Sequence, residues 1–266
     1  MPVHKSKMKL SLIQTDITWA DKQANLYQTE KILASLAQKT DLAVLPEMFT
    51  TGFCTRRPDL AETMDGETVQ TLIAWAMQFD MAIAGSFMVA EDNKLFNRAF
   101  FVFPNGEMRT ADKRHLFSMG KEDKFFSAGN EKLVVHYKDF NILTLLCYDI
   151  RFPVWSRNVN NEYDLLIYSA NFPHPRISAW NTLLKARAIE NQAYVCGVNR
   201  VGVDGMNLHY SGHSALIDAK GKTCIHFEEN EPGVKTIDIS KEALDTFREK
   251  FAVWKDADEF DIKKVY

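Results

Sequence analysis

Short apolar runs of strand length recur along almost the whole chain, and this recurrence constrains the fold more than any other feature. Helical spacing of apolar residues occurs between some of these runs, at residues 22–38, 68–79, 179–190 and 244–251. At residues 104–106 the sequence Pro-Asn-Gly separates two runs, and Asn-Gly in that position predicts a β-hairpin. The predicted strands cover residues 9–14, 42–45, 81–87, 98–103, 107–111, 133–137, 141–146, 165–169, 194–199, 213–218, 222–227 and 234–239.

So many strands and hairpins do not fit a simple doubly wound sheet. They favour two mixed sheets packed together, with the helices covering the outer faces, because an apolar sheet face must be buried against another layer. The sequence therefore predicts an α/β fold of two sheets flanked by helices. The chain has 266 residues and no linker rich in Gly, Ser or Pro, which predicts a single domain spanning residues 1–266.

Composition and charge narrow the functional class. The net charge of −3 offers no basic surface for nucleic acid. The apolar runs are far shorter than the roughly 18 residues needed to span a membrane, and residues 1–7 precede no signal-peptide core. Four cysteines without a Cys-x-x-Cys pair predict reduced thiols and a cytoplasmic location. We therefore expect a small-molecule partner rather than nucleic acid or membrane.

Cys147 ends the apolar run 142–146 and precedes a short helical pattern at residues 154–158. A nucleophile on such a strand-to-helix turn is exposed at a sheet edge. The thiolate is the reactive form of cysteine, and a nearby cation lowers the thiol pKa from its free value of about 8.5. On residue type alone, a cysteine after a strand is more often a small buried hydrophobic residue than a nucleophile.

Two charged residues end apolar runs in the same manner: Glu47 follows residues 41–46, and Lys113 follows residues 100–112. Lys113 can lower the thiol pKa and bind an oxyanion together with a backbone N–H after the cysteine. Glu47 can take the thiol proton, give it to a leaving amine and later deprotonate water. Each charge alone is typical of a solvated loop, but a Glu–Lys–Cys set is sufficient for acyl transfer without histidine.

The segments that carry these three residues resemble the signature segments of the nitrilase, or carbon–nitrogen hydrolase, superfamily, in the family's order. The resemblance implies an α-β-β-α sandwich, a catalytic triad of Glu47, Lys113 and Cys147, a homodimer, and no metal or organic cofactor. The matching segments are LPEMF at 45–49, DKRHLF at 112–117, LCYDIRFP at 146–153, SANFP at 169–173, ARAIENQAY at 186–194 and GHS at 212–214.

The resemblance also implies a fourth site residue and a substrate class. Members of the family often have a second glutamate that orients the triad, and Glu122 is the best match. Residues 147–158 are similar to the ω-amidase branch. Enzymes of that branch hydrolyse the side-chain amide of 2-oxoglutaramate, or of the 2-oxo acid from asparagine, to a 2-oxo dicarboxylate and ammonia.

Such a substrate carries a carboxylate away from the amide, and arginine binds a carboxylate through two hydrogen bonds. Aromatic side chains near the signature segments can form the pocket walls, although aromatic residues occupy cores at least as often. The predicted substrate-binding residues are Tyr148, Arg151, Phe117, Phe172 and Arg176, with Arg56 as a third arginine and Phe53, Phe152 and Trp155 as further aromatic candidates.

Two alternatives remain open at this stage. The substrate can be another small amide, a nitrile or an N-carbamoyl compound, because the pocket decides this and the sequence does not show the pocket. A non-catalytic interaction protein on the same fold would require a broken triad, whereas Glu47, Lys113 and Cys147 are all present. The tail from about residue 252 is predicted to be extended and to contact a partner subunit.

Overall fold

A computed structural model describes residues 6–263, which form two six-stranded sheets and a separate two-stranded hairpin. Residues 1–5 and 264–266 of the predicted domain lie outside the described part. The strands are β1 (Lys7–Gln14), β2 (Leu42–Val44), β3 (Ala82–Glu91), β4 (Lys94–Val102), β5 (Met108–Asp112), β6 (Leu133–Tyr137), β7 (Phe140–Leu146), β8 (Leu165–Ala170), β9 (Tyr194–Asn199), β10 (Val201–Val203), β11 (His209–Ser211), β12 (Ala215–Ile217), β13 (Thr223–His226) and β14 (Gly233–Ser240). The α-helices are α1 (Lys22–Leu36), α2 (Glu67–Phe79), α3 (Pro153–Ser156), α4 (Ile177–Asn191) and α5 (Lys241–Lys250).

Both large sheets are mixed, as predicted. The first has the order β14-β1-β2-β3-β4-β5, and its strands β1, β2 and β3 are parallel neighbours. The second has the order β13-β12-β9-β8-β7-β6, and β7, β8 and β9 are parallel neighbours. Parallel neighbours end at the same edge of a sheet, so the segments that follow β7 and β8 emerge side by side.

Alternation along the strands produces three apolar layers. Leu42 and Val44 belong to the core between the two sheets, whereas Ala43 belongs to the layer between the first sheet and helices α1 and α2. On the other side, Trp180 and Leu184 of α4 pack against the outer face of the second sheet. Successive residues of a strand point to opposite faces, so short, wholly apolar strands are required here. The result is the predicted α-β-β-α sandwich.

Most predicted elements are present, with boundaries shifted by a few residues, but the prediction missed the hairpin β10–β11. Its strands, Val-Gly-Val and His-Tyr-Ser, are three residues long and lack the continuous apolar run that marked the equally short β2 and β12. The strand predicted at residues 213–218 begins later, at Ala215, because Gly212 and His213 have φ values of 81° and 62°. Among the described residues, no helix has the length and apolar character needed to cross a bilayer.

Candidate active site

Three chain segments bring Glu47, Lys113 and Cys147 to one end of the sandwich. Glu47 lies in the turn after β2, Lys113 directly follows β5, and Cys147 directly follows β7. The turn after β2 is fixed by Met48, whose backbone N–H donates to Ser86 Oγ at 2.9 Å. Glu47 is fully buried and Lys113 is 2% exposed, so neither is the solvated loop charge that its residue type alone would suggest.

The Lys113 ammonium lies between two buried carboxylates. Its Nζ donates to Glu47 Oε1 at 2.8 Å and to Glu122 Oε1 and Oε2 at 3.1 and 3.0 Å. Glu122 is fully buried, and the Phe117 backbone N–H donates to its Oε2 at 2.7 Å. Burial by itself lowers the pKa of Lys113, but the charges of Glu122 and Glu47 outweigh this and raise it. Lys113 therefore stays protonated.

Burial opposes the ionisation of Glu122. Removal from water raises its pKa, the ammonium of Lys113 lowers it, and the carboxylate of Glu47 raises it, with a net upward direction. Two carboxylates that face one cation cannot both be fully compensated by it. Further hydrogen-bond donors are therefore required around them.

Two asparagines supply those donors. Asn97 on β4 donates from Nδ2 to Glu47 Oε1 at 2.8 Å and to Glu122 Oε1 at 3.2 Å. Asn171, which follows β8, donates its backbone N–H to Glu47 Oε2 at 2.9 Å. The sequence prediction missed both residues. The available signal was a polar residue within or at the end of an apolar strand, since buried polar side chains need partners.

Cys147 occupies the predicted strand-to-helix turn. Its φ of 40° is left-handed, and it begins the 3₁₀ helix Cys147–Arg151. Asp149 fixes this turn by accepting the Leu146 N–H at 3.1 Å through Oδ2 and the His115 N–H at 3.1 Å through Oδ1. The second contact ties the turn to the chain segment that carries Lys113. Arg187 of α4 donates to the Ile150 carbonyl at 2.6 Å, which holds the turn from the helix side.

The electrostatic surroundings of Cys147 favour the neutral thiol. Burial raises the pKa of Cys147 well above its ordinary value, the charge of Glu47 raises it further, and Lys113 and the Asn171 backbone N–H lower it. Lys113 acts on the thiol pKa in the expected direction, but burial and Glu47 outweigh the cation, so the net direction is upward. A thiol in this environment needs a base to become a nucleophile.

A pocket opens over Cys147 and Lys113, with a cavity of about 110 Å³. Aromatic side chains form much of its wall, and Asn171 also reaches it. Phe152 and Trp155 are not among its lining residues; the Phe152 ring instead stacks on His115 with centroids 3.7 Å apart. The residues predicted for substrate binding that do line the pocket are Tyr148, Arg151, Phe117, Phe172, Arg176, Arg56 and Phe53.

The outer part of the pocket is cationic. Arg56 and Arg151 are exposed and Arg176 is half-buried. Arg176 lies over the Phe117 ring at 4.8 Å and Arg151 over the Phe172 ring at 5.6 Å, so ring contacts hold these guanidinium groups near the pocket. The structure brings all three candidate arginines to one pocket.

One acidic residue, Asp204, also lines this pocket, and the sequence prediction missed it because it lies in the unrecognised hairpin. Its carboxylate accepts hydrogen bonds from the Tyr210 hydroxyl at 3.0 Å and from the backbone N–H groups of Met206 and Leu208 at 2.8 and 3.0 Å. Asp204 therefore stabilises the hairpin. Among the described residues, no group of three or more His, Cys, Asp or Glu side chains is arranged to hold a metal ion.

Comparisons with known proteins agree with this architecture. The carbon-nitrogen hydrolase family model matches residues 9–249. The chain is 43% identical over 253 residues to the omega-amidase YafV of Escherichia coli K12, across 95% of this chain and 98% of that protein. It is 32% identical over 254 residues to the 2-oxoglutaramate amidase of Bacillus subtilis, across 94% and 97% of the two chains.

A solved structure gives the same result. XC1258 from Xanthomonas campestris, a CN-hydrolase superfamily protein with an arsenic adduct in its active site, superposes with a TM-score of 0.95. The two chains are 40% identical, and the match covers 97% of this chain and 99% of that one. These findings confirm the predicted family and sandwich. The chain therefore belongs to the carbon–nitrogen hydrolase family and is a hydrolase of carbon–nitrogen bonds.

Proposed function

We propose that this chain is an ω-amidase that hydrolyses the ω-amide of 2-oxoglutaramate and of 2-oxosuccinamate to a 2-oxo dicarboxylate and ammonia. The observation that carries the proposal is the juxtaposition, in one pocket, of Cys147 and Lys113 with three arginines. Cys147 and Lys113 supply the groups for amide hydrolysis, and the arginines bind an anionic substrate. The names of the relatives from Escherichia coli and Bacillus subtilis support the same substrate class.

The proposed reaction begins with proton transfer from the Cys147 thiol to Glu47, because the buried thiol is protonated at rest. The sulfur then attacks the amide carbonyl carbon, and the C=O electron pair moves onto oxygen. In this step the Lys113 ammonium gives one hydrogen to Glu47 Oε1 and shares one between the two oxygens of Glu122, so that the third hydrogen binds the oxyanion. The Tyr148 backbone N–H lies in the first turn of a 3₁₀ helix, where N–H groups lack intrahelical acceptors, and it is the second donor.

Collapse of the tetrahedral adduct breaks the C–N bond. The nitrogen leaves as ammonia with the proton held by Glu47, and the acyl group remains on Cys147 as a thioester. Glu47 then takes a proton from water as the water oxygen attacks the thioester carbonyl. When the C–S bond breaks, that proton returns to the sulfur, so both side chains regain their starting state.

The substrate carboxylate is bound by the arginines on the pocket rim. Arg151 and Arg176 each pack over an aromatic ring of the wall, which orients the guanidinium without neutralising it. A pairing of arginine with carboxylate through two hydrogen bonds fixes the far end of a small dicarboxylic monoamide. The amide end then lies over Cys147.

A second candidate function is hydrolysis of a neutral amide, a nitrile or an N-carbamoyl substrate. The observation that favours it is the aromatic wall formed by Phe53, Phe117 and Phe172, which suits an uncharged ligand. The two functions differ in whether the rim arginines contribute to binding.

An ammonia-release panel separates these alternatives. Ammonia release is measured for 2-oxoglutaramate, succinamate, glutamine, a nitrile and an N-carbamoyl amino acid. Each substrate is tested with the native chain, with Cys147→Ala and with the control Cys224→Ser, which alters an exposed cysteine outside the pocket. We expect the highest kcat/KM for 2-oxoglutaramate, loss of turnover in Cys147→Ala only, and a thioester mass on the native protein. A faster neutral substrate supports the second function, and no turnover of 2-oxoglutaramate contradicts the first.

We further propose that the enzyme is a homodimer. Five large apolar side chains are exposed around one groove between α3, α4 and the C-terminal segment, and such a patch on a hydrolase of small molecules fits a second copy of the chain. The exposed side chains are Val154 (55%), Ile189 (51%), Phe251 (58%), Val253 (42%) and Phe260 (41%).

The C-terminal segment supports this proposal because it lies along the body of the protein. Arg114 donates to the Lys263 carbonyl at 2.8 Å and lies 4.5 Å from the Trp155 ring centroid. Light scattering on the full chain, on a chain ending at Phe251 and on Ile189→Glu tests the dimer. We expect a dimer for the full chain and a monomer for both variants. A full chain with the mass of a monomer excludes it.

Two coarser features are also proposed. Residues 1–266 form a single domain, which is supported by the core that both sheets share. The enzyme is cytoplasmic, which is supported by four free cysteines. Limited proteolysis and cell fractionation, respectively, test these statements.

A further inference from the structure

Asn97 is fully buried on β4 and makes hydrogen bonds to every charged partner of Lys113 described above. Its Nδ2 has two hydrogens, and both are directed at carboxylates: Glu47 Oε1 at 2.8 Å and Glu122 Oε1 at 3.2 Å. Its backbone carbonyl accepts the Lys113 backbone N–H at 2.9 Å. One residue therefore contacts all three members of the buried charge cluster.

The contacts form a closed ring of alternating donors and acceptors. Lys113 Nζ and Asn97 Nδ2 each donate to the same two oxygens, Glu47 Oε1 and Glu122 Oε1. Two carboxylate oxygens that share two donors are forced close together, and their mutual repulsion must be offset by those donors. Without Asn97, Lys113 would be the one described donor left to these two Oε1 atoms.

The ring assigns different tasks to the two oxygens of Glu47. Oε1 is occupied by Lys113 and Asn97, whereas Oε2 accepts only the Asn171 backbone N–H among the described contacts. Asn171 lines the same pocket as Cys147, and its N–H, which binds Oε2, also lowers the pKa of the Cys147 thiol; we infer that Oε2 lies on the Cys147 side of the cluster. Oε2 is the oxygen available for the thiol proton.

We propose that Asn97 is a positioning residue that anchors Oε1 of Glu47 and Oε1 of Glu122, so that Glu47 presents Oε2 to the Cys147 thiol. The inference rests on the proposed role of Glu47 as the base. The ionisable groups that face this cluster are Lys113 after β5, Glu122 on its 3₁₀ turn and Cys147 on its own turn.

A neutral donor suits this position better than a second cation. A second cation would stabilise the Glu47 carboxylate and make it a weaker base. An amide satisfies the buried oxygens without adding charge. The orientation of the amide is unambiguous, because a flipped Asn97 would direct Oδ1 at two carboxylate oxygens. The Oδ1 atom has no partner among the described residues, which indicates that the two N–H contacts determine the placement of the side chain.

The test compares Asn97→Leu, Asn97→Ser and Asn97→Asp with the native chain. Leucine removes both donors without adding charge, serine keeps one donor, and aspartate replaces the donors with a third carboxylate. We expect kcat for 2-oxoglutaramate to fall roughly 10- to 100-fold in Asn97→Leu, as for lost hydrogen bonds to charged groups, with KM within about threefold. The decrease in kcat should be smaller in Asn97→Ser and larger in Asn97→Asp.

The pH dependence provides a readout that a purely structural role would not change. Loss of the donors favours protonated carboxylates, so the acid limb of kcat/KM should move to higher pH in Asn97→Leu and further in Asn97→Asp. The rate of Cys147 alkylation by iodoacetamide should show the same shift without any substrate. An unchanged acid limb in folded Asn97→Leu or Asn97→Ser overturns the proposal.

The matched control is Asn158→Leu, because Asn158 is also buried and donates its two amide hydrogens to the carbonyls of Tyr163 and Asn191. It should lose thermal stability while keeping the native pH profile. If the native chain alkylates normally but does not hydrolyse 2-oxoglutaramate, the proposed substrate is wrong, and the alkylation profile still decides the role of Asn97.

Discussion

The inner wall of the pocket and its rim differ in burial and in the contacts that fix their charged side chains. The inner wall includes Lys113 and Cys147, and every carboxylate oxygen of Glu47 and Glu122, the buried partners of Lys113, accepts at least one hydrogen bond. The rim consists of Arg56, Arg151 and Arg176, of which two are exposed. For Arg151 and Arg176 the recorded contacts at the pocket are to faces of aromatic rings.

This difference separates chemistry from selection. A buried set of charges that depends on mutual compensation tolerates little change, because removing one member leaves another uncompensated. An exposed arginine can be replaced with little effect on folding. On the proposed mechanism, the inner wall carries out cleavage of the carbon–nitrogen bond, and the rim selects which substrate is cleaved.

The largest effect is expected for the nucleophile itself. Cys147→Ala should lower kcat about 10⁵-fold, which is typical for loss of a catalytic nucleophile, while the dissociation constant for 2-oxoglutaramate changes little. Stopped assays for ammonia and isothermal titration measure the two quantities. Substantial turnover by Cys147→Ala would contradict the thioester mechanism.

Replacement of the base should produce the next largest effect. Glu47→Gln retains the shape of the side chain but cannot take the thiol proton, so kcat should fall roughly 10²- to 10⁴-fold. Alkylation of Cys147 should slow in parallel, which links the defect to the thiol rather than to substrate binding. Normal alkylation in Glu47→Gln would assign the base to another group.

Substitutions in the inner wall and at the rim of the pocket should have unequal effects on the free energy of unfolding. Lys113→Met leaves Glu47 and Glu122 buried without their cation and should lower the free energy of unfolding by about 3–5 kcal/mol. Arg176→Met on the rim should change it by less than about 0.5 kcal/mol. Urea unfolding at pH 7 measures both. Equal effects would remove the distinction between the two regions.

Substitution of the rim arginines is expected to raise KM for the substrate. Arg151→Met and Arg176→Met should each raise KM for 2-oxoglutaramate, and the arginine that pairs with the carboxylate should raise it roughly 10- to 100-fold. Hydrolysis of a neutral amide should be unchanged in the same variants. The larger of the two KM effects identifies the carboxylate-binding arginine, and two negligible effects would assign that role to Arg56 or dismiss it.

The smallest effect concerns pH. Burial and the charge of Glu47 hold the pKa of Cys147 well above its ordinary value of 9.0. An unfolded chain therefore loses this proton at lower pH than the folded chain, and the stability contributed by the thiol is lost as pH rises above 9.0. The stability of the native chain relative to Cys147→Ala should fall by about 1.4 kcal/mol per pH unit there. A constant difference from pH 8 to 10 would contradict the raised pKa.

The sequence was sufficient to predict the two sheets and the residues at their ends. The position of Cys147 at a strand end made it a candidate nucleophile, and the resemblance of the segments around Glu47, Lys113 and Cys147 to a known family singled out the three residues. Asn97 was not identifiable, since one polar residue in an apolar strand does not reveal which distant groups it contacts. The hairpin β10–β11 and its Asp204 were missed because these two short strands contain glycine and polar residues rather than an apolar run.

The net pKa direction of Cys147 was also beyond the sequence. It depends on how fully the thiol is withdrawn from water and on its position relative to Glu47 and Lys113. Those quantities exist only once the sheets have packed. Sequence patterns therefore indicated which groups meet, and the packed structure was needed to weigh their opposing effects.

The left-handed backbone at Cys147 has a practical consequence for capturing a Michaelis complex. A residue with a side chain at such a φ carries roughly 1–3 kcal/mol of conformational strain, which glycine does not. Cys147→Gly would remove the sulfur and relax the turn at once, whereas Cys147→Ala removes only the sulfur. We expect the glycine variant to be the better inert scaffold for crystallising the intact amide, because its main chain can adopt the native turn without penalty.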